Sequence, residues 1–395
     1  MKSKTYLVNP SDKKILEHSG DRVPIGLMSI AANNPGVKLY DMNHTTDREL
    51  MEDFNIDRPE NVGISVYTSP ALPESLRLAE MLIGKTRLIA GGYHATAMPE
   101  SLLPYFDAIV QGEGELLLGE ATERDGIING RAPNLEDLAN PTGLDMSKYG
   151  VNQSGHRTGT ILTSRGCPYH CSFCGKLSDR VRFYSVDQVK AQMDTLKSQD
   201  FKAIYFMDDV FTLMESRMQE VVEHAETLGM PYRITTRANL IDGIRADVLE
   251  RTGAEWASFG IESGNDQILK NSNKQMTTRQ NEVAVSMMSQ RGIKTKGFFI
   301  LGLPGETEKT ARETIGFSLK LRDEGLNQAD FYFLTPFPGT PIWRNPDSFG
   351  ITINDTDFTK YLQAGKTARC VIDTEELKAG RIEELVEEAK ELWRN

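Results

Sequence analysis

Three of the chain's four cysteines, Cys167, Cys171 and Cys174, fall within eight residues, in Thr163-Ser-Arg-Gly-Cys-Pro-Tyr-His-Cys-Ser-Phe-Cys-Gly175. The spacing is C-x3-C-x2-C. Pro168 and the flanking Gly166 and Gly175 let such a segment curl, so three thiolates can converge on one inorganic centre. Thiolates select soft centres, zinc or iron–sulfur. A closed zinc site needs four ligands. The remaining cysteine, Cys370, is almost two hundred residues away, and His170, between two ligating positions, would have to be bent inward. The alternative is a cubane cluster held through three irons, whose fourth iron stays open to a small molecule. The sequence around the loop favours the second reading.

These thiols need a framework. From residue 156 onward, apolar strand-like runs alternate with helical periods: strands at 158–163, 203–207, 232–236, 256–261, 296–301 and 329–334, helices at 186–199, 217–228, 244–252, 280–290 and 308–324. Six such units predict a partial or complete parallel barrel with its site at the strand carboxyl ends. Those ends carry, in order, the cysteines, Asp208-Asp209, Arg237, Glu262, Gly302-Leu-Pro-Gly-Glu306 and Pro336-Phe-Pro-Gly-Thr-Pro341. Any one of these residues can be a helix cap or a loop ion pair. As a set past successive strands they read as the lining of a barrel mouth.

Residues 1–125 show a second alternation: strands at 6–9, 37–43, 61–67, 87–91 and 107–111, helices at 24–32, 46–54 and 73–83, and a helical turn at 99–105. This predicts a doubly wound parallel sheet, which binds ligands past its strand carboxyl ends. Ser65 and Thr68 follow the third strand, Gly91-Gly92-Tyr-His94-Ala-Thr the fourth, and Gly112-Glu113-Gly-Glu the fifth. Residues 126–155 read as a linker strapped down by Leu135, Leu138, Leu144 and Met146, and 346–395 as a carboxyl-terminal extension. In it Cys370 sits in a buried strand-like piece, Thr374 can cap a last helix, and Ile382, Leu385, Val386, Ala389 and Trp393 recur at helical spacing.

The region 156–345 resembles a radical S-adenosylmethionine (SAM) core. The resemblance rests on the cysteine motif with Phe173 before its last cysteine, on Tyr205-Phe-Met-Asp-Asp-Val-Phe-Thr212, on Phe259-Gly-Ile-Glu-Ser-Gly264 and on Phe298-Phe-Ile-Leu-Gly-Leu-Pro-Gly-Glu-Thr307. It implies a [4Fe–4S] cluster on Cys167, Cys171 and Cys174, chelated by SAM through its amine and carboxylate. Asp208 and Asp209 take the place of the methionyl-amine contact, Arg237 and Glu262 lie near carboxylate and ribose, and Phe173 and Ile300 flank adenine. It further implies reductive cleavage of SAM to a 5′-deoxyadenosyl radical, with the electron from a donor such as flavodoxin or ferredoxin. The first region, with Pro24-Ile-Gly-Leu, Val62-Gly-Ile-Ser65, Gly91-Gly-Tyr-His-Ala-Thr96 and Gly112-Glu-Gly-Glu115, resembles the cobalamin-binding-type domain found ahead of many such enzymes. That implies Ser65, Thr68, Gly91, Gly92, His94, Gly112 and Glu113 as cobalamin-binding residues. The D-x-H-x-x-G cobalt-ligand signature is absent; Glu17-His18-Ser19-Gly20 does not match it.

The two-domain order implies a cobalamin-dependent methyltransferase acting on an unreactive carbon of a small-molecule or peptide substrate. The alternatives are a radical SAM enzyme of another reaction type that does not use cobalamin, and a non-enzymatic iron–sulfur sensor. A net charge of −11 over 395 residues argues against a broad nucleic-acid surface. The chain has no apolar run long enough for a membrane span or signal peptide, and the expectation is a cytoplasmic protein. For substrate contacts the sequence offers only Tyr332, Thr335 and the loop 265–278.

Overall fold

The computed structural model describes residues 4–13, 15, 23–130, 132–153, 155–362 and 368–394. Glu17-His18-Ser19-Gly20, Arg131 and the stretch 363–367 of the carboxyl-terminal extension lie outside them. The chain divides into two compact units, one running from the amino terminus to Val151 and one from Asn152 onward.

The first unit is built on β1 (Thr5–Asn9), β2 (Lys38–Asp41), β3 (Asn61–Ser65), β4 (Arg87–Gly91), β5 (Ala108–Gln111) and β6 (Gly126–Asn129). They lie in the order β2-β1-β3-β4-β5-β6, and every pairing is parallel. Because strand side chains alternate, β1 sends Tyr6 and Val8 to one face and Leu7 to the other. The first face packs on α2 (Asp47–Asp57) and α3 (Leu72–Leu82) through Leu50, Phe54, Leu78 and Leu82. The second packs on α1 (Ile25–Asn33) and α5 (Leu118–Ala121) through Leu27, Ala31, Leu118 and Ala121. Thr46 and Glu49 form a capping box that starts α2. Two local expectations differ. Residues 126–129, read as the start of a connector, add the sixth strand: Gly126–Asn129 pairs in register with Ala108–Gln111. The segment after the glycine pair is a short helix, α4 (Tyr93–Ala97).

The second unit contains β7 (Val151–Gln153), β8 (His156–Ile161), β9 (Ser164–Arg165), β10 (Arg182–Phe183), β11 (Ala203–Phe206), β12 (Tyr232–Thr236), β13 (Ala254–Glu262), β14 (Lys294–Leu301) and β15 (Gln328–Phe333). The main sheet runs β15-β14-β13-β12-β11-β8-β7. Its six strands from β8 to β15 are parallel, with a free edge at β15, so the expected barrel is a partial one. The crossovers are α6 (Val186–Ser198), α7 (Glu215–Thr227), α8 (Gly243–Arg251), α9 (Asp266–Asn271) with α10 (Thr278–Ser289), and α11 (Glu308–Asp323). Capping boxes start α6 at Ser185, α10 at Thr277 and α11 at Thr307. The short α9 falls where the sequence suggested an irregular polar connection.

After α12 (Pro341–Arg344), β16 (Ile351–Ile353) pairs antiparallel with β17 (Ile372–Thr374). The last helix, α13 (Ala379–Arg394), buries Ile382, Leu385, Val386 and Ala389 against α11, β14 and β15. Thr374 does not cap this helix. Its hydroxyl accepts from Leu377 N at 2.8 Å, in the preceding turn, and Asp373 accepts from Ala379 N at 2.9 Å. The Cys370 thiol is buried, lies 3.6 Å from Ile372 O, and has its pKa pushed up to about 12 by that burial.

Candidate active site

The cysteine loop leaves β8 and is closed at its base by a two-residue ribbon, β9 against β10. Asp208, at the end of β11, holds that base. Its carboxylate accepts from Thr163 N at 3.2 Å, from Thr163 Oγ1 at 2.9 Å, and from Ser164 Oγ. It is buried, and burial raises its pKa to about 6 against the opposing pull of those bonds. Its neighbour Asp209 is different. Solvent reaches Asp209, yet protein atoms crowd it enough for desolvation to raise its pKa, while Lys176 pulls the other way. That combination belongs to a group lining a recess. Of the two aspartates, Asp208 builds the loop and Asp209 faces the open space.

The three thiols share the recess. Cys174 is exposed but so crowded that desolvation, helped by Cys171, Asp209 and Cys167, pushes its pKa up to about 12. Desolvation also raises Cys167, with Asp209 and Cys171 adding to it. Cys171 is near enough to raise both Cys167 and Cys174, as sulfurs around a shared centre must be. A cationic centre would reverse that penalty by favouring thiolate. Among the described residues, no three His, Cys, Asp or Glu side chains are gathered closely enough to grip a bare metal ion. His170 turns outward: it is exposed, with Nδ1 3.3 Å from Lys176 Nζ and 3.7 Å from Asp179.

Lys176 is a contributor that sequence reasoning missed. Its ammonium donates to the carbonyls of Cys167, at 2.9 Å, and Tyr169, and pairs with Asp179 at 2.7 Å. It clamps the loop from inside. A second brace comes from the turn after α9: Ser172 N donates to Ser272 O at 3.0 Å, and Asn273 Nδ2 to His170 O at 2.7 Å. The same turn carries Lys274, whose ammonium lies 2.7 Å from Glu262 Oε1, with both side chains more than nine-tenths buried. Glu262 sits at a register shift in β13 with φ +65°. Room for the pair depends on Gly260, where an added Cβ would lie 2.3 Å from Glu262 Oε1 and 2.7 Å from Lys274 Nζ. Glu262 therefore enters the site as a neutralised partner of Lys274.

Arg237, after β12, is buried and reaches the cysteine loop, with Nη1 3.7 Å from Cys171 Sγ. Phe173 is half-buried, and Ile300 is buried on β14 opposite Tyr332. The loop after β14 is tied by Glu306, whose Oε2 accepts from Gly302 N, with the Leu303 backbone also pulling the carboxyl pKa down. Glu306 is fully buried, and burial raises its carboxyl to about 8. Thr335, just past β15, is buried, and among the described residues its hydroxyl has no hydrogen-bond partner.

In the first unit the expected residues gather past the ends of β3, β4 and β5. Ser65 is buried, and its carbonyl accepts from Ser75 Oγ at 3.1 Å. Thr68 is half-buried. Gly91 has open space where a Cβ would stand. Gly92, at φ +108°, is needed for another reason: a Cβ there would lie 2.8 Å from Val66 O, so its close approach is to the unit's own backbone. His94 is fully buried with Nδ1 2.9 Å from Ser69 Oγ, and burial lowers its pKa to about 4, leaving a neutral ring. Gly112 N donates to Thr96 Oγ1 at 2.9 Å, which links the loops after β4 and β5. Glu113 is half-buried, whereas its neighbour Glu115 is turned inward to Ser29 Oγ at 2.9 Å.

Comparison with known proteins places both units. Residues 161–318 match the family model of the radical SAM superfamily, and residues 15–122 that of the B12 binding domain. An uncharacterized methyltransferase of Pyrococcus horikoshii is 30% identical over 364 residues, covering 81% of this chain and 78% of the relative. The anaerobic magnesium-protoporphyrin IX monomethyl ester cyclase of Rubrivivax gelatinosus is 28% identical over 360 residues, covering 81% of this chain and 63% of the relative. Among solved structures, the radical SAM methyltransferase TsrM from Kitasatospora setae, with cobalamin and a [4Fe–4S] cluster bound, superposes with a TM-score of 0.73 at 21% identity, covering 92% of this chain and 82% of that one.

Proposed function

We propose, from the premise that this chain belongs to the radical SAM superfamily and carries a B12 binding domain, that it is a cobalamin-dependent methyltransferase acting on an unreactive carbon. The observation that carries this reading is the presence of both family matches in one chain. A relative named as a methyltransferase at 30% identity supports it.

Cys167, Cys171 and Cys174 would hold the [4Fe–4S] cluster, and the donor set fits: three thiols close enough for Cys171 to act on both of the others, with Cys174 exposed to solvent. Asp209 is the carboxylate available to the SAM amine, with Phe173 and the backbone at Ile300 beside adenine. Glu262 and Arg237 stand at the carboxylate and ribose side. Ser65, Thr68, Gly91, Gly92, His94, Gly112 and Glu113 form the cobalamin-side set, in which His94 acts through Ser69 as a buried brace. When bound, the cofactors supply a carbon-centred radical from SAM and a methyl carrier. The chain braces the loop through Asp208, Lys176 and Asn273 and offers the Asp209 carboxylate to an ammonium. The electron comes from a low-potential protein donor of the flavodoxin or ferredoxin kind, and the substrate is a small molecule or peptide. None of the described helices is long and apolar enough to cross a membrane, which agrees with a cytoplasmic enzyme.

Anaerobic purification with cobalamin supplied tests the assignment. The expected result is a corrin absorption beside the cluster band, then formation of 5′-deoxyadenosine, S-adenosylhomocysteine and a methylated product on reduction. A chain that takes up a cluster but no corrin sinks the reading. A second reading draws on the cyclase relative: radical formation followed by ring closure, which would leave a product with no added methyl mass.

A further inference from the structure

Arg237 is 5% exposed, and each of its three guanidinium nitrogens has a partner. Nη1 points at Cys171 Sγ at 3.7 Å. Nη2 donates to the carbonyl of Lys274 and, at 3.4 Å, to that of Gln275. Nε donates to Asn239 Oδ1 at 3.2 Å, and the flat face lies 3.7 Å from the Tyr169 ring centroid. Two of these partners, Cys171 and Tyr169, belong to the cysteine loop. Two belong to a turn in which Asn273 and Gln275 take φ +51° and +54°. Left-handed backbone is strained for residues with a Cβ, so the turn's shape is held by its surroundings, and its carbonyls are aimed at the arginine.

The charge balance is telling. Among the described residues the hydrogen-bond acceptors of Arg237 are two backbone carbonyls, the Asn239 amide oxygen and the Cys171 sulfur, with no carboxylate among them. The nearby carboxylate, Glu262, is already neutralised by Lys274. Burying a guanidinium without a counter-charge is costly. The Cys171 sulfur, a thiolate once it ligates iron, is a counter-charge held in direct contact with Arg237, and it is present whether or not SAM is bound.

We infer that Arg237 is a positioning residue that sets the reduction potential of the cluster through its bond to Cys171. The inference rests on the iron–sulfur reading of the loop and not on methyl transfer. Reduction adds one electron from the donor to the cluster and makes the ligating sulfurs more negative. A fixed cation with an N–H aimed at one of them favours the reduced state and raises the midpoint. Tyr169 and the 272–275 turn keep the guanidinium from swinging away.

The test is a redox titration of the reconstituted full chain, followed by electron paramagnetic resonance, with and without SAM. R237Q is expected to retain the iron and sulfide content of the wild type, but to show about tenfold less reduced cluster relative to oxidised at the wild-type midpoint, which is about 59 mV for one electron. R237K, which keeps charge but loses the fork and the stack, should fall between. An unchanged SAM-free midpoint in fully loaded R237Q overturns the inference. So does a loss of SAM affinity with that midpoint intact, which would make Arg237 a ligand of SAM alone. If R237Q fails to load, Y169L decides: it removes the stack and leaves the charge, and a loaded Y169L with a wild-type midpoint overturns the proposal. A wild-type chain that assembles no cluster removes the iron–sulfur reading itself. A shifted midpoint with no methylated product removes only the methyltransferase reading.

Discussion

Asp208 and Asp209 are chemically identical neighbours put to different uses. The buried Asp208 gathers Thr163 and Ser164 at the root of the cysteine loop. Replacing it with alanine strands a buried N–H, at a cost of about 1–3 kcal/mol. D208A should therefore lower thermal stability and iron content together, whereas D209A should leave stability near wild type and weaken SAM binding. Calorimetry and SAM titration separate the two. Glu306 supplies a pH prediction. Its carboxyl is raised to about 8, so the folded chain binds that proton more tightly than the unfolded chain. The contribution is fully present below the ordinary carboxylate range and is lost as pH climbs toward about 8. The melting temperature of E306Q should fall less than that of the wild type between about pH 5 and pH 8.5, and equal slopes in a thermal scan would contradict the burial argument. Asp208 and Asp209 could be named from sequence because strand ends are local. Their division of labour could not, because Thr163 and Ser164 lie some forty residues away.

At the scale of elements, the strand–helix alternation was readable, and so were the carboxyl-terminal positions that bring the site together. What escaped has a common cause. β6 is a four-residue run whose only strand credential is its pairing with β5. α4 is five residues long and begins at a glycine pair that sequence alone assigns to a turn. Lys176 and Lys274 read as solvated charges, and their partners are loop carbonyls and a distant glutamate. Gly260 likewise shows its purpose only once Lys274 folds over it. G260A should displace the Glu262–Lys274 pair at a cost of about 1–3 kcal/mol, as overpacking of a filled site does. Lower stability with the circular dichroism unchanged is the expected signature, and an unaffected G260A would mean that the pair can move aside.

At the scale of the whole molecule, each unit has its own sheet and its own buried core, and the proposed cluster ligands and the proposed cobalamin-side residues fall in separate units. Independent cores predict independent loading. C171A should take up cobalamin with the wild-type spectrum, and G92A, which forces a Cβ against Val66 O, should lose corrin while keeping its iron. Loss of both cofactors from either variant would contradict this separation. The sequence order suggested two regions; that residues 126–151 group with the first was hidden, because 126–129 join the sheet only by pairing with β5, and Ala139 and Tyr149 contact Asn33 of α1 and His44, about a hundred residues earlier.

The bracing of the cysteine loop has one more consequence. Lys176, the ribbon of β9 and β10, and the bonds from Ser172 and Asn273 all run from protein to protein. They meet part of the entropy of ordering the loop when the chain folds. Small zinc-binding modules, which melt when stripped, are the opposite case. Oxygen that destroys the cluster would leave behind a vacant but shaped cradle, and the damage becomes a repairable loss of cargo rather than an unfolding event.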